Sequence, residues 1–475
     1  MIAFVNAAIW GVLVPPFQVP DEIAHFAYAQ YLAETGRPPP GGARAPYSPE
    51  QRVALDHLFT FRVIGQPRLR GILSSEEERG LRTALREHPD PVGGGGATSA
   101  SNQPPLYYAL EAVPYWLSPS HDILVRLFFM RLLSALMAAG TVLAVFMFLR
   151  ELLPACRWAW SVGALIVAFQ PTFDLIAAGV QADNLLYLAS ALVFLMLTRV
   201  YRRGLTFPRA IALGACVAAG VLAKLTFIGL LPGIAAAVLL LGWRAAKSER
   251  TRALRMIATT ILVAALPVAL YALLNVLAWH RGGVTAGGVA GVTENALPGG
   301  TTVTLAQTLE YSWQLYLPRL WFMKAYFTGY PLWTIWLNGS IGHLGWLDYT
   351  FPSWVYSAGR YVLFVLVGLG LAGLFRLRAW AREMLPMLVC FALMAAGLLG
   401  AIGYVGIRYR LANYGLPFEQ ARYLFPLLAL YGLFVVLAAR GLGSRWAGAL
   451  GAALVALAMF HGLFAETLTI SRYYG

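Results

Sequence analysis

The hydrophobic residues of this chain come in long unbroken runs, not in the alternation of a half-buried strand or the narrow stripe of a surface helix. An opening run covers 1–16, and others follow at roughly 121–149, 158–177, 183–200, 207–222, 226–243, 254–278, 353–375, 384–405, 422–439 and 446–465. Most approach the roughly 20 apolar residues that a helix needs to cross a bilayer. The pattern predicts an all-α polytopic membrane protein of about 11 transmembrane helices, a single transmembrane domain over 1–475. The opening run has no basic residue before it and no small-residue cleavage site after it. We read it as a first span, short enough that a start further upstream would complete it.

Two long polar stretches interrupt the runs, at 15–120 and 279–350. The first begins P-P-F-Q-V-P-D-E-I-A-H-F-A-Y (15–28), where Pro20 is suited to the first position of a short helix along the membrane surface. Such a helix would put Asp21, His25 and Tyr28 on one face, with Glu22 and Phe26 about 100° round from them. Further on, S-S-E-E-E carries the capping logic of a helix start, predicting a helix near 74–88. A G-G-G-G at 93–96 follows, and the stretch ends in N-Q-P-P-L-Y-Y (102–108). The second stretch opens with R-G-G-V-T-A-G-G-V-A-G (281–291) and then turns aromatic through Tyr311, Trp313, Tyr316, Trp321, Phe322, Tyr326, Phe327, Trp333 and Trp336. Amphipathic rings favour the headgroup level, so a helix and loop lying in the interface are expected there. The sequence shows no internal repeat of the kind that marks the two halves of many transporters.

Composition agrees with the runs: 59% of residues are hydrophobic and 12% charged, against about 25% charged in soluble domains. The net charge of +14 does not point to nucleic acid, because the basic residues fall in short clusters between apolar runs. Alternate short loops hold 16 Lys and Arg (among them Arg150, Arg202, Arg203, Lys247, Arg252, Arg255, Arg378 and Arg445) against Glu151, Glu249 and Glu383. The positive-inside rule makes these loops cytoplasmic. The N-terminus is then cytoplasmic, while the C-terminus and both long stretches are extracytoplasmic. Cys156, Cys216 and Cys390 lie in or beside apolar runs without metal-ligand spacing and read as small buried hydrophobes.

On that outer side, Asp21 and Glu22 sit within a few residues of a span and ahead of His25. Acids in a first helical turn can simply complement the dipole, but a carboxylate at the hydrocarbon boundary can also serve as a base. Q-P-T-F-D-L-I-A-A-G-V-Q-A-D-N (170–184) places Asp174 and Asp183 at membrane depth, where acids are costly. A helix N-cap is the plain alternative for Asp183, and pairing with a structural arginine the plain alternative for Asp174. Lys224, in A-K-L-T-F, is an outer lysine that either snorkels or holds a lipid phosphate. Arg408, Arg410 and Arg422 lie within 15 residues, and guanidinium pairs with phosphate through two parallel hydrogen bonds. Arg126 and Arg131 could act likewise, or neutralise Asp122 and Glu111. Asp21, Glu22, His25, Asp174 and Asp183 could assemble a divalent metal site; their spacing does not require one, so we expect no obligatory metal or cofactor. Walker, dinucleotide, H-E-x-x-H and G-x-S-x-G signatures are absent.

Taken in order, P-D-E-I-A-H, Q-P-P-L-Y-Y, A-D-N-L-L, A-K-L-T and E-Q-A-R-Y-L-F-P resemble the GT-C superfamily of membrane glycosyltransferases. The likeness is to a poorly characterised multispanning family related to protein mannosyltransferases and the lipid A aminoarabinose transferase. The resemblance implies a prokaryotic plasma-membrane enzyme taking sugar from a polyprenyl-phosphate donor, among membrane lipids, and passing it with inversion to a glycan or lipid acceptor. It implies Asp21 as base, Glu22 as its partner, and Lys224 and Arg422 on the donor phosphate. We count His25, Tyr107, Tyr108, Asp174, Asp183, Arg408 and Arg410 with Lys224 and Arg422 as substrate-binding candidates. The short first span and the missing soluble C-terminal domain depart from the family pattern, the latter weighing against a protein acceptor. The competing readings are a transporter or flippase for a lipid-linked glycan, and a glycan ligase or polymerase. A transporter is expected to show paired broken helices or charges near mid-span in both halves, whereas the acids and bases here gather on the outer side.

Overall fold

A computed structural model of the chain describes residues 1–40, 46–71, 74–96, 98–244, 250–281, 303–327, 334–412 and 419–475. The 282–291 part of the glycine-rich segment, Trp333, Lys247 and Glu249 lie outside the described residues. Among those described, the regular secondary structure is helical apart from one two-stranded ribbon, His343–Leu344 against Tyr349–Thr350. Uninterrupted apolar sequence dictates this, since a helix satisfies every backbone polar group within its own segment.

The α-helices longer than four residues among those described, in order, are α1 (Ile2–Leu13), α2 (Glu22–Thr35), α3 (Pro49–His57), α4 (Ser75–Arg86), α5 (Leu106–Leu117), α6 (Ile123–Leu152), α7 (Arg157–Ala168), α8 (Pro171–Ala177) and α9 (Asp183–Arg203). They continue as α10 (Phe207–Ala223), α11 (Leu231–Trp243), α12 (Arg250–Leu277), α13 (Leu305–Tyr316), α14 (Ser353–Arg376), α15 (Arg378–Ala412), α16 (Leu428–Gly441) and α17 (Ala447–Tyr474). Each of the eleven apolar runs has become helical. Eight helices among the described residues are long and apolar enough to cross a membrane, or nine if α7 and α8, bent by 66° at a break, count as one span. The remaining two runs form the shorter helices α1 and α10. The bend falls at Gln170-Pro171. Pro171 opens α8 at a helix N-terminus, where its missing N–H costs nothing, and Gln170 caps Phe173 N through its side chain at 2.5 Å.

The centre of the molecule is α6, α9 and α16 with α7 and α15 around them, meeting through rings such as Phe148, Phe194 and Phe391. A second cluster, built on Phe17, Phe26, Tyr28, Tyr107, Tyr108 and Tyr115, fixes the first long loop on the end of this bundle. α12 and α14 present much of their apolar surface outward, as helices facing lipid do.

Two local expectations come out differently. Pro20 is not the first helical residue: α2 starts at Glu22, and Asp21 stands before it in the left-handed conformation at φ 63°. Nor does α2 lie on a surface, since Glu22 through Gln30 are buried against α5 and neighbouring loop residues. The α4 start does follow its sequence, with reciprocal Ser74 and Glu77 capping bonds.

Candidate active site at the Asp21–Arg422 contact

The site is assembled where α1 turns into α2. Glu22 is fully buried and receives Arg131 from α6 in two parallel bonds of 2.8 and 2.6 Å. The same guanidinium donates to the carbonyls of Gly11, Val14 and Pro15 at 2.7 to 2.9 Å, and Val180 N donates to Glu22 Oε1 at 3.1 Å. Glu22 and Arg131 thereby satisfy the carbonyls left open at the end of α1 and pin the turn to α6 and to the α8–α9 connection. Gly179 permits this approach, because a Cβ there would run into Val19. Gln181 completes the fixing, its side-chain amide donating to Pro20 O and its backbone N–H to Tyr107 OH.

Glu22 is therefore committed to bracing the turn, and Asp21 is the carboxylate of the two that stays partly exposed. The left-handed backbone at Asp21, which Asp tolerates better than most residues, aims its side chain at Arg422, with Oδ2 to Nη2 at 2.5 Å. Asp21 remains 32% exposed, while the Arg422 side chain is only 5% exposed. Arg422 Nε and Nη1 are buried and have no partner among the described residues. Its carbonyl accepts from Tyr187 OH, and Arg422 lines a cavity of about 70 Å³ with Pro20, Thr172, Thr334, His343, Glu419 and Gln420.

Beside this pair, Lys224 Nζ meets Asp183 Oδ1 at 2.8 Å. Lys224 stands where α10 breaks into the 3-10 turn Leu225–Leu230, and Asp183 is the first residue of α9. Asp183 makes no side-chain cap, so the N-cap alternative is replaced by an ion pair, as is the snorkelling alternative for Lys224. Burial works against the charge on Asp21, but Arg422 most of all, with Lys224, holds its carboxyl below the ordinary 3.8. Burial and the nearby Lys224 push His25 down to about 3, leaving a neutral imidazole whose Nδ1 meets Tyr108 OH at 2.8 Å. Tyr108 in turn stacks on Tyr28 at 3.6 Å between ring centroids.

Asp21, His25, Tyr108, Asp183, Lys224 and Arg422 thus converge from five separated stretches. The other candidates lie elsewhere. Tyr107 supports the α8–α9 connection through Gln181 and Ser134. Asp174 is buried near Asn6 of α1. Arg408 covers the Tyr404 ring, and Arg410 lies over Phe327 near Tyr311.

Arg126 and Arg131 do not neutralise Asp122 and Glu111. Arg126 pairs with Glu34 at 3.5 Å and Tyr115 OH at 2.5 Å, while Asp122 caps α6 at Leu124 N. Glu111, which burial raises to about 8, accepts from Ser134 instead of from a cation. Sequence reading gave Arg131 a phosphate, or Asp122 and Glu111, in place of its bonds to Glu22, and overlooked Gln181 and Tyr187. Of the latter two, only Tyr187 carried a signal, lying four residues after Asp183 on one helix face. No group of three or more His, Cys, Asp or Glu side chains among the described residues is arranged to hold a metal ion.

No curated protein and no solved structure matches the chain. Its family is nevertheless clear, because one family's pattern matches residues 4–431, nearly the whole chain. The protein belongs to DUF2142, a family of predicted membrane proteins.

Proposed function

We propose that this protein is an integral-membrane glycosyltransferase of the GT-C kind, which transfers a sugar from a polyprenyl-phosphate donor to a hydroxyl of a glycan or lipid acceptor. In this reading all eleven apolar helices cross a prokaryotic plasma membrane, the N-terminus is cytoplasmic, and the Asp21 site faces outward. The observation that carries it is the Asp21–Arg422 contact: a partly exposed carboxylate touches a buried guanidinium whose Nε and Nη1 have no partner among the described residues, beside a cavity. A buried cation with free donors calls for an oxyanion, because unsatisfied buried charge is costly.

The chemistry is one displacement. The acceptor oxygen forms a bond to the anomeric carbon from the side opposite the phosphate, the anomeric carbon–oxygen bond to phosphate breaks, and configuration inverts. The acceptor proton passes to Asp21, and the departing phosphate keeps the bonding electrons under Arg422 and Lys224. The resting ion pair gives the steps an order. While Arg422 holds Asp21, the carboxylate is a poor base; a donor phosphate competing for Arg422 removes that pull and makes Asp21 more basic as the site fills. The phosphoester supplies the driving force, which an outward-facing site demands because nucleotide sugars are cytoplasmic.

The test is sugar transfer in proteoliposomes containing a polyprenyl-phosphate sugar. Asp21→Asn, which keeps the shape and removes the base, is expected to lower the rate by about 10²-fold or more. Unchanged transfer would remove Asp21 from the mechanism. Lys224→Ala is expected to raise KM for the donor more than for the acceptor; the opposite split assigns Lys224 to the acceptor side.

A further inference from the structure

At the other end of α6 and α9 lies a second cavity, of about 240 Å³, lined by Arg150, Glu151, Pro154, Trp160, Arg202 and Arg203. α6 carries Arg131 at the Asp21 site and Glu151 here, and the rise between them is roughly 30 Å at about 1.5 Å per residue. α9 runs the same way from Asp183 to Arg203. That separation matches the hydrocarbon thickness of a bilayer, roughly 30 Å, so the two sites sit at opposite membrane faces.

Charges at this end are not all accounted for by one another. Glu151 is buried and fully engaged: Arg199 reaches Oε1 at 3.2 Å, and Arg203 reaches Oε1 at 2.8 Å and Oε2 at 2.9 Å. Arg150 and Arg202 have no carboxylate partner among the described residues. Arg150 lies over the Trp160 ring at 5.8 Å, and Arg202 has only a long 3.5 Å contact to Leu152 O and a 3.8 Å contact to Met384 sulfur. Basic residues at helix C-termini complement the dipole and suit a cytoplasmic face. Neither effect requires two unpaired guanidiniums to share a concavity with an indole. The first turn of α7 also begins here, and its N-cap, Cys156, supplies no side-chain acceptor to the open N–H groups.

We propose that this cavity is a phosphate-binding site for a phosphate mono- or diester, with Arg150 and Arg202 as the binding residues and Trp160 as the wall against which the ester carbon rests. Guanidinium offers phosphate two parallel hydrogen bonds, and Glu151, already neutralised by Arg199 and Arg203, does not repel the anion. The ligand is either an anionic lipid headgroup of that leaflet or a soluble phosphate. The site is independent of the sugar-transfer reading.

The full-length chain, purified in detergent, is titrated with phosphatidylglycerol or with phosphatidylcholine of the same acyl chains, and bound lipid is read by native mass spectrometry. Phosphatidylglycerol is expected to bind more tightly. The double variant Arg150→Gln/Arg202→Gln should weaken it by at least about tenfold, equivalent to about 1.4 kcal/mol. The charge-matched Arg252→Gln/Arg255→Gln, at the same end of the bundle but off the cavity, should change it less than about twofold, well under that step. Arg202→Lys, which keeps the charge and loses the planar fork, should fall in between and serves if the double variant does not fold. Competition with millimolar inorganic phosphate separates the sources: displacement identifies a soluble phosphate as sufficient, and retention identifies the lipid headgroup. Equal losses in both double variants, or equal binding of the two lipids together with no binding of inorganic phosphate, would overturn the proposal.

Discussion

Arg131 shows how one residue can set a site without entering it. Its Nε, Nη1 and Nη2 hold Glu22 and three carbonyls of the α1–α2 turn, so the conformation of Asp21 is inherited from a side chain on α6. Removing one member of a buried ion pair strands the other charge and costs about 3–5 kcal/mol. Arg131→Met is therefore expected to lower thermal stability strongly, and Arg131→Met combined with Glu22→Gln to recover part of the loss; equal stability of the single and double variants would show that the pair is uncoupled. Asp21 gives a second prediction at this scale. Its carboxyl is held below 3.8 when folded, so the stabilisation from its pairing is present above the unfolded carboxylate pKa and is lost as pH falls through the lower folded value. The stability difference between the native chain and Asp21→Asn should stay constant from pH 7 down to about pH 5, well above the ordinary aspartate range, and shrink only in stronger acid. A difference already shrinking at pH 6 would mean that Arg422 does not control this carboxylate.

Among the elements, the apolar helices and the Ser74 cap of α4 are legible in sequence because periodic burial and capping are local. The break between α7 and α8 is half legible: Pro171 announces it, but the 66° bend depends on what packs there. The site is legible as a set of residue types and not as a set of partners. Nothing local distinguishes Asp21 from Glu22. What separates them is Arg131, 109 residues on, and Arg422, 401 residues on. The C-terminal helix follows the same logic. Near its end, Arg472 donates to Val63 O, Gln66 O and Leu69 O at 2.8 to 3.1 Å and pairs with buried Asp348 at 2.8 Å, tying both long loops to α17. Arg472→Met should release this clasp, and limited proteolysis should then cut near 63–71 faster than in the native chain while the spans stay protected. Unchanged cleavage would show that α17 is not what orders the first loop.

At the scale of the whole molecule, the arrangement of charge decides which way the bundle faces. The Asp21 group gathers Asp183, Lys224 and Arg422 at one end, and Arg472 ties the α17 terminus to the same long loop that carries Asp21. The other end holds the arginine-rich turns around Glu151. A chain whose eleven apolar helices all cross must start and finish on opposite faces, and so must one with nine spans; eight spans would return both ends to one side. The parity can be read directly. In a background with Cys156, Cys216 and Cys390 replaced, single cysteines at Ser75 and Ser471 should react with a membrane-impermeant maleimide added to intact cells. A cysteine at Gly204 or Arg445 should react only after the membrane is opened. Labelling of Ser471→Cys and Gly204→Cys from the same side would break the eleven-span topology, and with it the premise that the site works on donors presented outside the cell.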